Sequence, residues 1–506
     1  MKEQLKKILP FLLIFVSFIT LLLGAWPILH NDIYFISDIA RDFLLFNEIE
    51  EKFMILIGPR ASGMPGLFHG VLWLYLNFPA YFIGNGNPVV VGYFWIVLVV
   101  FFCFIYYFLF KIFFDKTTSL VFVTLFVFMI APFMDQFYNP VGALLIMPLI
   151  YYFTYQYIVE HKWKDAILLF LFVGAVIQFQ MAAGIPISLL IMIVFLYTVI
   201  KTKNYKHLFI PLILIIPLGN FLLFDLKHNF VQTNVVLKSF IDDTRFYTPY
   251  DVRLSDRLRT VKDGGGIFFH EEFSKFNKYI GYILIGLLLH YLWKNRDLKR
   301  GLLVYYYVGF YILSLLHNGV LLVHYVLPVM LLPVLFFASS YKKIPSQIYW
   351  VMIIAVSSLS LYSLSQRIEY YENNKYRWQY WKSLNSVFDV IEKTHTQDKI
   401  GIFMYAPDVY AYGPKYAFLY NKKNSDSIEY NYHKKLRETY LLYEPPPPGQ
   451  PQFNGTDWKS RQVNIKNKPV ESITLNNGYS VEKYILTEEE QNTPHDTIID
   501  DWVSQR

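Results

Sequence analysis

The chain has 506 residues, 54% hydrophobic, 19% aromatic and only 17% charged, with a formal net charge of +7. Soluble domains carry about a quarter charged residues, so this composition excludes an ordinary soluble fold, and basic residues scattered through short loops argue against nucleic acid as a partner. The single cysteine, Cys103, lies in an apolar run; it rules out an intramolecular disulfide, a thiolate metal site and CxxC chemistry, and reads as a small buried hydrophobe.

The first element is an apolar run over 9–28, behind the basic start Met1-Lys2-Glu3-Gln4-Leu5-Lys6-Lys7. The run is too long for a signal-peptide core and no small-x-small cleavage site follows it, so it predicts an uncleaved span with a cytoplasmic N-terminus. Runs at 89–110 and 348–364 are also about as long as a bilayer is thick. The class is a polytopic α-helical membrane protein, since a barrel would show alternating segments of roughly ten residues.

Basic clusters at 111–116, 161–164, 201–206, 294–300 and 342–343 separate the apolar runs. Placing each on the cytoplasmic side predicts spans at 89–110, 118–134, 140–158, 164–182, 184–200, 208–224, 278–293, 300–317, 322–340 and 348–364, about eleven with the first. The apolar stretch 67–83, rich in aromatics, would invert every later loop if it crossed. It is therefore expected to lie in the outer interface. Two long outer loops follow, 29–88 and 225–277. The run 167–200 is too long for one span. Polar breaks at Gln178-Phe179-Gln180 and Gly184-Ile185-Pro186 predict two helices joined by a tight outer turn.

The expected domains are a transmembrane part, 1–365, and an extracytoplasmic tail, 366–506. The tail is polar and predicts a small mixed α/β domain. Strands are expected at 399–405 and 438–443, with a hairpin around Asn476-Asn477-Gly478, and Pro445-Pro446-Pro447-Pro448 forms a stiff extended loop. The tail contains no GxGxxG or GxxxxGKS motif, so the nucleotide-binding module expected of an enzyme drawing on a cytoplasmic sugar nucleotide is missing.

The chemistry-bearing motifs gather at outer ends of spans. Ser37-Asp38-Ile39-Ala40-Arg41-Asp42 lies in the first outer loop, and on a helix Asp38 and Asp42 share a face. Gly58-Pro59-Arg60-Ala61-Ser62-Gly63 follows, then His69-Gly70-Val71-Leu72-Trp73-Leu74-Tyr75. Asn139-Pro140 opens a span, Phe224-Asp225-Leu226-Lys227-His228 closes one, and His324-Tyr325-Val326-Leu327-Pro328 opens the tenth.

That order of motifs resembles the GT-C membrane glycosyltransferases, most closely the bacterial dolichyl-phosphate-mannose-protein mannosyltransferase-like and aminoarabinose-transferase-like branch. The resemblance covers roughly 1–365; the tail matches only in position and size. The family often has Asp-Glu in its acidic motif, whereas here Ile39 follows Asp38, so any second carboxylate must come from Asp42. The resemblance implies an inverting glycosyltransferase of the inner or plasma membrane. It would move a sugar from a polyprenyl-phosphate donor to a glycan, lipid or protein acceptor on the outer face.

Chemistry converges on the same demands. A sugar on a lipid phosphate already has a good leaving group. The enzyme then needs a base for the acceptor hydroxyl, worth about 10²–10⁴-fold, and donors for the departing phosphate, each worth about 10²–10³-fold. Asp38 matches the family's first-loop acid and is the expected base, with Asp42 as the second catalytic carboxylate. Arg41 orients Asp38, pairs with Asp42 or snorkels at the interface. Arg60 offers a planar fork to phosphate. His69, His324 and Tyr325 complete the expected substrate-binding set. Lys227 and His228 read as a charge cap on a helix C-terminus. The mixed run Asp243, Arg245, Asp251, Arg253, Asp256, Arg257 and Arg259 reads as a solvated helix or as one that faces the acceptor, and Gly264-Gly265-Gly266 as a hinge candidate. The motifs specify no metal site, leaving a divalent cation open as a cofactor.

Two other readings compete. A transporter or flippase of lipid-linked saccharides would carry charges at mid-membrane and paired Gly/Pro breaks, whereas here the spans are almost free of charge. An O-antigen ligase- or polymerase-like enzyme would share the outer site and lipid donor.

Overall fold

The computed structural model describes residues 2–35, 37–61, 66–241, 248–262, 274–294, 297–317, 319–373, 377–408 and 410–499. Helices dominate. In chain order they are α1 (Lys2–Gly24), α2 (Ser37–Lys52), α3 (Leu72–Ile83), α4 (Pro88–Phe113), α5 (Lys116–Ile130), α6 (Asn139–Glu160), α7 (Trp163–Phe179), α8 (Met181–Thr202), α9 (Ile215–Lys227), α10 (Val231–Ile241), α11 (Tyr250–Lys262), α12 (Ser274–Lys294), α13 (Leu298–Ser314), α14 (Leu331–Ser339), α15 (Ser346–Glu372) and α16 (Trp381–Thr394). The tail adds β1 (Lys399–Tyr405), α17 (Tyr412–Asn424), β2 (Glu429–Tyr432), β3 (Glu438–Tyr443), β4 (Glu471–Thr474) and β5 (Ser480–Ile485).

Among the described residues, six helical segments are long and apolar enough to cross a membrane: Pro88–Phe113, Lys116–Phe133, Asn139–Glu160, Met181–Thr202, Tyr205–Lys227 and Ser346–Glu372. The other expected spans fall on helical segments that are shorter or less apolar. Helix α3 has 12 residues, about 18 Å of helix against a hydrocarbon core of about 30 Å, and cannot cross alone. Along Tyr205–Lys227 the apolar side chains point outward, with Phe209 72% and Ile216 71% exposed, as lipid-facing residues do. The break between α7 and α8 is a single extended residue, Gln180. Gly184-Ile185-Pro186, expected to belong to the turn, lies inside α8. A Cβ on Gly184 would meet the Ile177 backbone at 2.6 Å, so glycine lets the two helices touch directly below the turn.

The chain forms two compact units. The first comprises 1–25, 54–77 and 95–367. Interhelical hydrogen bonds typical of membrane bundles tie it together: Ser17 Oγ to Thr124 Oγ1 at 3.0 Å and Thr154 Oγ1 with the Tyr306 hydroxyl at 2.7 Å. Gly24 packs so closely on Ala131 that a Cβ would lie 2.6 Å from its carbonyl oxygen. Fully buried Asp135 accepts from Arg367.

The second unit comprises 26–53, 78–94 and 368–506. Its sheet has the order β2-β1-β3-β5-β4, with β1 parallel to β2 and β3, and β5 antiparallel to β3 and β4. The Asn476-Asn477-Gly478 turn closes the β4–β5 hairpin as expected, with Gly478 at φ +91°, a conformation glycine adopts without penalty. Phe403, Leu441, Trp458, Val463 and Tyr484 bury one sheet face. Segments from far upstream complete the unit. Tyr34 bridges Tyr380, Phe35 N–H donates to the Gln379 carbonyl at 2.8 Å, and Trp381 N–H donates to the Ile33 carbonyl at 2.9 Å. Phe35 and Phe43 then pack on Trp381 and Tyr416 with ring centroids 4.9–5.5 Å apart.

This junction carries a titratable tie. Buried Asp32 accepts hydrogen bonds from Ile33 N–H at 3.0 Å, Lys382 N–H at 2.9 Å and the Tyr371 hydroxyl at 3.2 Å. Burial nevertheless outweighs those bonds and pushes its carboxyl from the ordinary 3.8 up to about 6. A carboxyl raised on folding stabilises the fold fully below about pH 3.8, and that contribution is lost as the pH rises through 6. The difference is about 3 kcal/mol. Hydrogen exchange at the Ile33 and Lys382 amides is expected to quicken between pH 4 and 7 beyond its intrinsic rate. Asp32→Asn, neutral throughout, should flatten that dependence.

Candidate active site

Helix α2 opens with Ser37 at φ +52°, turning the chain so that Asp38 falls in the first turn, where a helix N-terminus favours negative charge. One turn on, Arg41 links both acids of the motif. Its Nη1 donates to Asp38 Oδ1 at 2.6 Å and its Nη2 to Asp42 Oδ1 at 3.1 Å. The three side chains differ sharply in access: Asp38 is 51% exposed, Arg41 11% and Asp42 4%. Burial works against the Arg41 charge, but Asp38 and Asp42 together outweigh it and raise its pKa. Asp42, the other expected catalytic acid, turns one carboxylate oxygen inward to Arg41. The arrangement is a fixed cation holding one exposed carboxylate, with a buried acid behind it.

Arg60 and His69 share a short two-stranded ribbon. Gly58 N–H donates to the His69 carbonyl at 2.9 Å, His69 N–H to the Pro59 carbonyl at 2.8 Å and Ala61 N–H to the Leu67 carbonyl at 2.9 Å. Arg60, paired across the ribbon with Phe68, is exposed, and His69 is half-buried. Ser62 and Gly63 of the Gly-Pro-Arg motif lie outside the described residues. Both flanking glycines are forced by contact. A Cβ on Gly58 would meet the Gly70 carbonyl oxygen at 2.5 Å, and one on Gly70 would fall 1.8 Å from the Gln178 side chain.

Gln178, which in the sequence signals only a turn, is the hub of this first-unit cluster. Its carbonyl accepts Gly70 N–H at 3.0 Å, and its Nε2 reaches the Pro217 carbonyl at 2.6 Å and Asn220 Oδ1. Asn220 in turn donates to the Leu56 carbonyl at 2.8 Å. Two residues later, Gln180 Nε2 donates to the His324 carbonyl at 3.4 Å. The α7–α8 break thus holds both the ribbon and the His324 segment. The available signal was a pair of buried amides in otherwise apolar spans, which are costly there unless bonded. The His324 ring meets Tyr325 edge-on with centroids 4.5 Å apart.

The described parts of the second expected outer loop are tied down by side-chain bonds. Asp225 accepts from Gln232 N–H, Thr233 N–H and Thr233 Oγ1 at 2.6–3.0 Å, capping α10. Gln232 Oε1 accepts Phe68 N–H from the ribbon at 3.0 Å. His228 stacks on Phe224 and bonds its carbonyl at 2.8 Å, closing α9. Helix α11 is not simply solvated. Asp256 and Arg257 are buried and paired at 3.0 Å. Arg257 caps the C-terminal end of α13 through the Ser314 and His317 carbonyls at 2.9 and 3.2 Å, and Arg253 adds a bond to the Leu315 carbonyl at 2.8 Å. Asp243, Arg245 and the triple glycine 264–266 lie outside the described residues.

The structure therefore joins Asp38, Arg41 and Asp42 in one ionic cluster of the second unit. In the first unit, bonds to Gly70 and to the His324 carbonyl tie the Arg60–His69 ribbon and the His324 segment to the break between α7 and α8. Among the described residues no three His, Cys, Asp or Glu side chains assemble as a metal-ligand group.

No family model matches the chain, and no curated protein matches it in sequence. Solved structures do resemble it. ArnT from Cupriavidus metallidurans bound to undecaprenyl phosphate superposes with a TM-score of 0.56 at 9% identity, over 93% of this chain and 97% of that one. The apo form of the same protein gives 0.56 at 10% identity, with the same coverage. At such low identity the likeness speaks for the fold alone, which is that of ArnT.

Proposed function

We propose that this chain is an inverting glycosyltransferase that moves a sugar from a polyprenyl-phosphate donor to a glycan, lipid or protein acceptor at the outer face of the membrane. The observation that carries the reading is the Asp38–Arg41–Asp42 cluster, which presents a single oriented carboxylate at the start of a helix. Undecaprenyl phosphate bound to the structurally similar ArnT supports the donor class. In the reaction Asp38 takes the proton of the acceptor hydroxyl. The oxygen attacks the anomeric carbon from the face opposite the phosphate, and the polyprenyl phosphate departs with the bonding electrons. Arg41 fixes the base, and Asp42 fixes Arg41. Arg60, exposed on its ribbon, offers the bidentate donor geometry that a phosphate accepts, and His69, His324 and Tyr325 are assigned to substrate binding. The positive-inside pattern of the loops supports about eleven spans with the tail outside.

The test is transfer itself. The full-length protein in lipid nanodiscs, supplied with undecaprenyl-phosphate-linked sugars and an envelope extract as acceptor, should release undecaprenyl phosphate in step with glycosylated product, read by mass spectrometry. Movement of the intact lipid-linked sugar across the bilayer with no product would favour a flippase and overturn the reading.

A further inference from the structure

The second unit holds an aromatic pair that the proposed reaction leaves unused. Tyr410 and Tyr412 stack face to face, with centroids 5.2 Å apart and planes at 11°. Tyr410 is 37% exposed. A stacked, partly exposed tyrosine pair presents a flat apolar face edged by hydroxyls, the complement of a sugar ring with its C–H face and hydroxyl rim.

Its place in the fold is informative. β1 runs parallel to β2 on one side and to β3 on the other, so the chain changes direction across the sheet at β1. In open α/β sheets ligands bind outside the carboxyl ends of strands at such a switch point. The tyrosines lie just beyond the carboxyl end of β1, where Ala411, at φ +50°, turns the chain into α17. An Asp408 carboxylate accepts Ala411 N–H and fixes that turn.

The same turn lies beside the acidic motif. The start of α17 packs on the residues that flank Asp38 and Arg41. A Cβ on Gly413 would lie 3.2 Å from the Phe35 carbonyl oxygen, and Phe43 meets Tyr416 at 5.2 Å. Tyr412 consequently comes within electrostatic range of Arg41, whose partner Asp38 is the exposed carboxylate.

We infer that Tyr410 and Tyr412 form a stacking platform for a saccharide ring of the substrate, alongside Asp38 and Arg41. This rests on the transferase reading for the word substrate, while the binding itself can be measured apart from transfer. Saturation-transfer NMR on the full-length protein in nanodiscs, with methyl glycosides of a hexose, a pentose and an amino sugar as probes, should show contact at ring C–H protons of at least one probe. Tyr410→Ala should weaken that contact roughly ten-fold, and Tyr410→Phe, which keeps the ring, should preserve it.

Kinetics then separates the two sources of a sugar ring. A roughly ten-fold rise in acceptor KM with kcat little changed assigns the platform to the acceptor, and the same rise in donor KM assigns it to the donor sugar. Lack of contact with every probe, or contact unchanged in Tyr410→Ala, overturns the platform. If Tyr410→Ala abolishes glycoside contact in a protein that transfers nothing, the platform stands and the transferase reading falls. If transfer proceeds with both KM values unmoved in Tyr410→Ala, the platform alone falls.

Discussion

Replacing Asp38 by Asn is expected to lower transfer by about 10²–10⁴-fold, the range a positioned general base contributes. The variant should still fold. Asp38 is half exposed, and Asn keeps a hydrogen-bond acceptor for Arg41. Thermal unfolding in detergent within a degree or two of wild type, alongside the loss of turnover, would separate chemistry from collapse. Asp42→Asn should behave differently. Its carboxylate is buried against Arg41, so the change weakens the anchor of the cation and destabilises the protein while leaving the base in place. A substantial residual kcat is expected there. Wild-type turnover in Asp38→Asn would remove Asp38 from the mechanism.

The largest effect on stability is expected at Asp256. Its carboxylate accepts from Arg257 at 3.0 Å, Arg259 at 2.8 Å and Leu321 N–H at 2.8 Å. Arg257 is 2% exposed. Asp256→Ala therefore leaves a buried guanidinium without its counter-charge, a change that costs about 3–5 kcal/mol. An exposed ion pair of similar geometry would contribute less than about 1 kcal/mol. Because Arg257 also holds the Ser314 and His317 carbonyls, the loss should loosen the segment leading to His324. Limited proteolysis after residues 315–322 and the apparent melting temperature both read it. The paired replacement Asp256→Leu with Arg257→Met should recover much of the stability, since a buried ion pair replaced by apolar groups of similar size is often neutral. Equal damage in the double and single variants would locate the cost in the helix-capping bonds rather than in the unpaired charge.

What could be read from sequence divides along the range of the interactions. Helical segments under the expected spans, the Asn476-Asn477-Gly478 hairpin and the acidic motif all depend on residues close in the chain. Hydropathy, turn chemistry and helical spacing therefore exposed them. The run around Asp256 and Arg257 has the mixed-charge composition of a solvated helix. Only the nearby end of α13, with carbonyls needing donors, turns it into a buried cap. Gln178 was legible as a break and illegible as a hub, since its partners at Gly70, Pro217 and Asn220 come from distant stretches. The strand β2 has little signature in the sequence, because Glu429-Tyr430-Asn431-Tyr432 alternates weakly and sits at the sheet edge. The pairing of Tyr34 with Tyr380 had no local signature.

That last pairing bears on biogenesis. The second unit takes 26–53 and 78–94 from the early chain and 368–506 from its end. Phe35, Phe43 and Tyr81 leave the ribosome long before Trp381 and Tyr416 exist to cover them. Until synthesis finishes, these aromatics await their partners. Truncating the chain before residue 368 should therefore act as a folding lesion rather than as the neat removal of an appendage. The early segments would be left with half a core, and degradation of the whole chain is the outcome to expect.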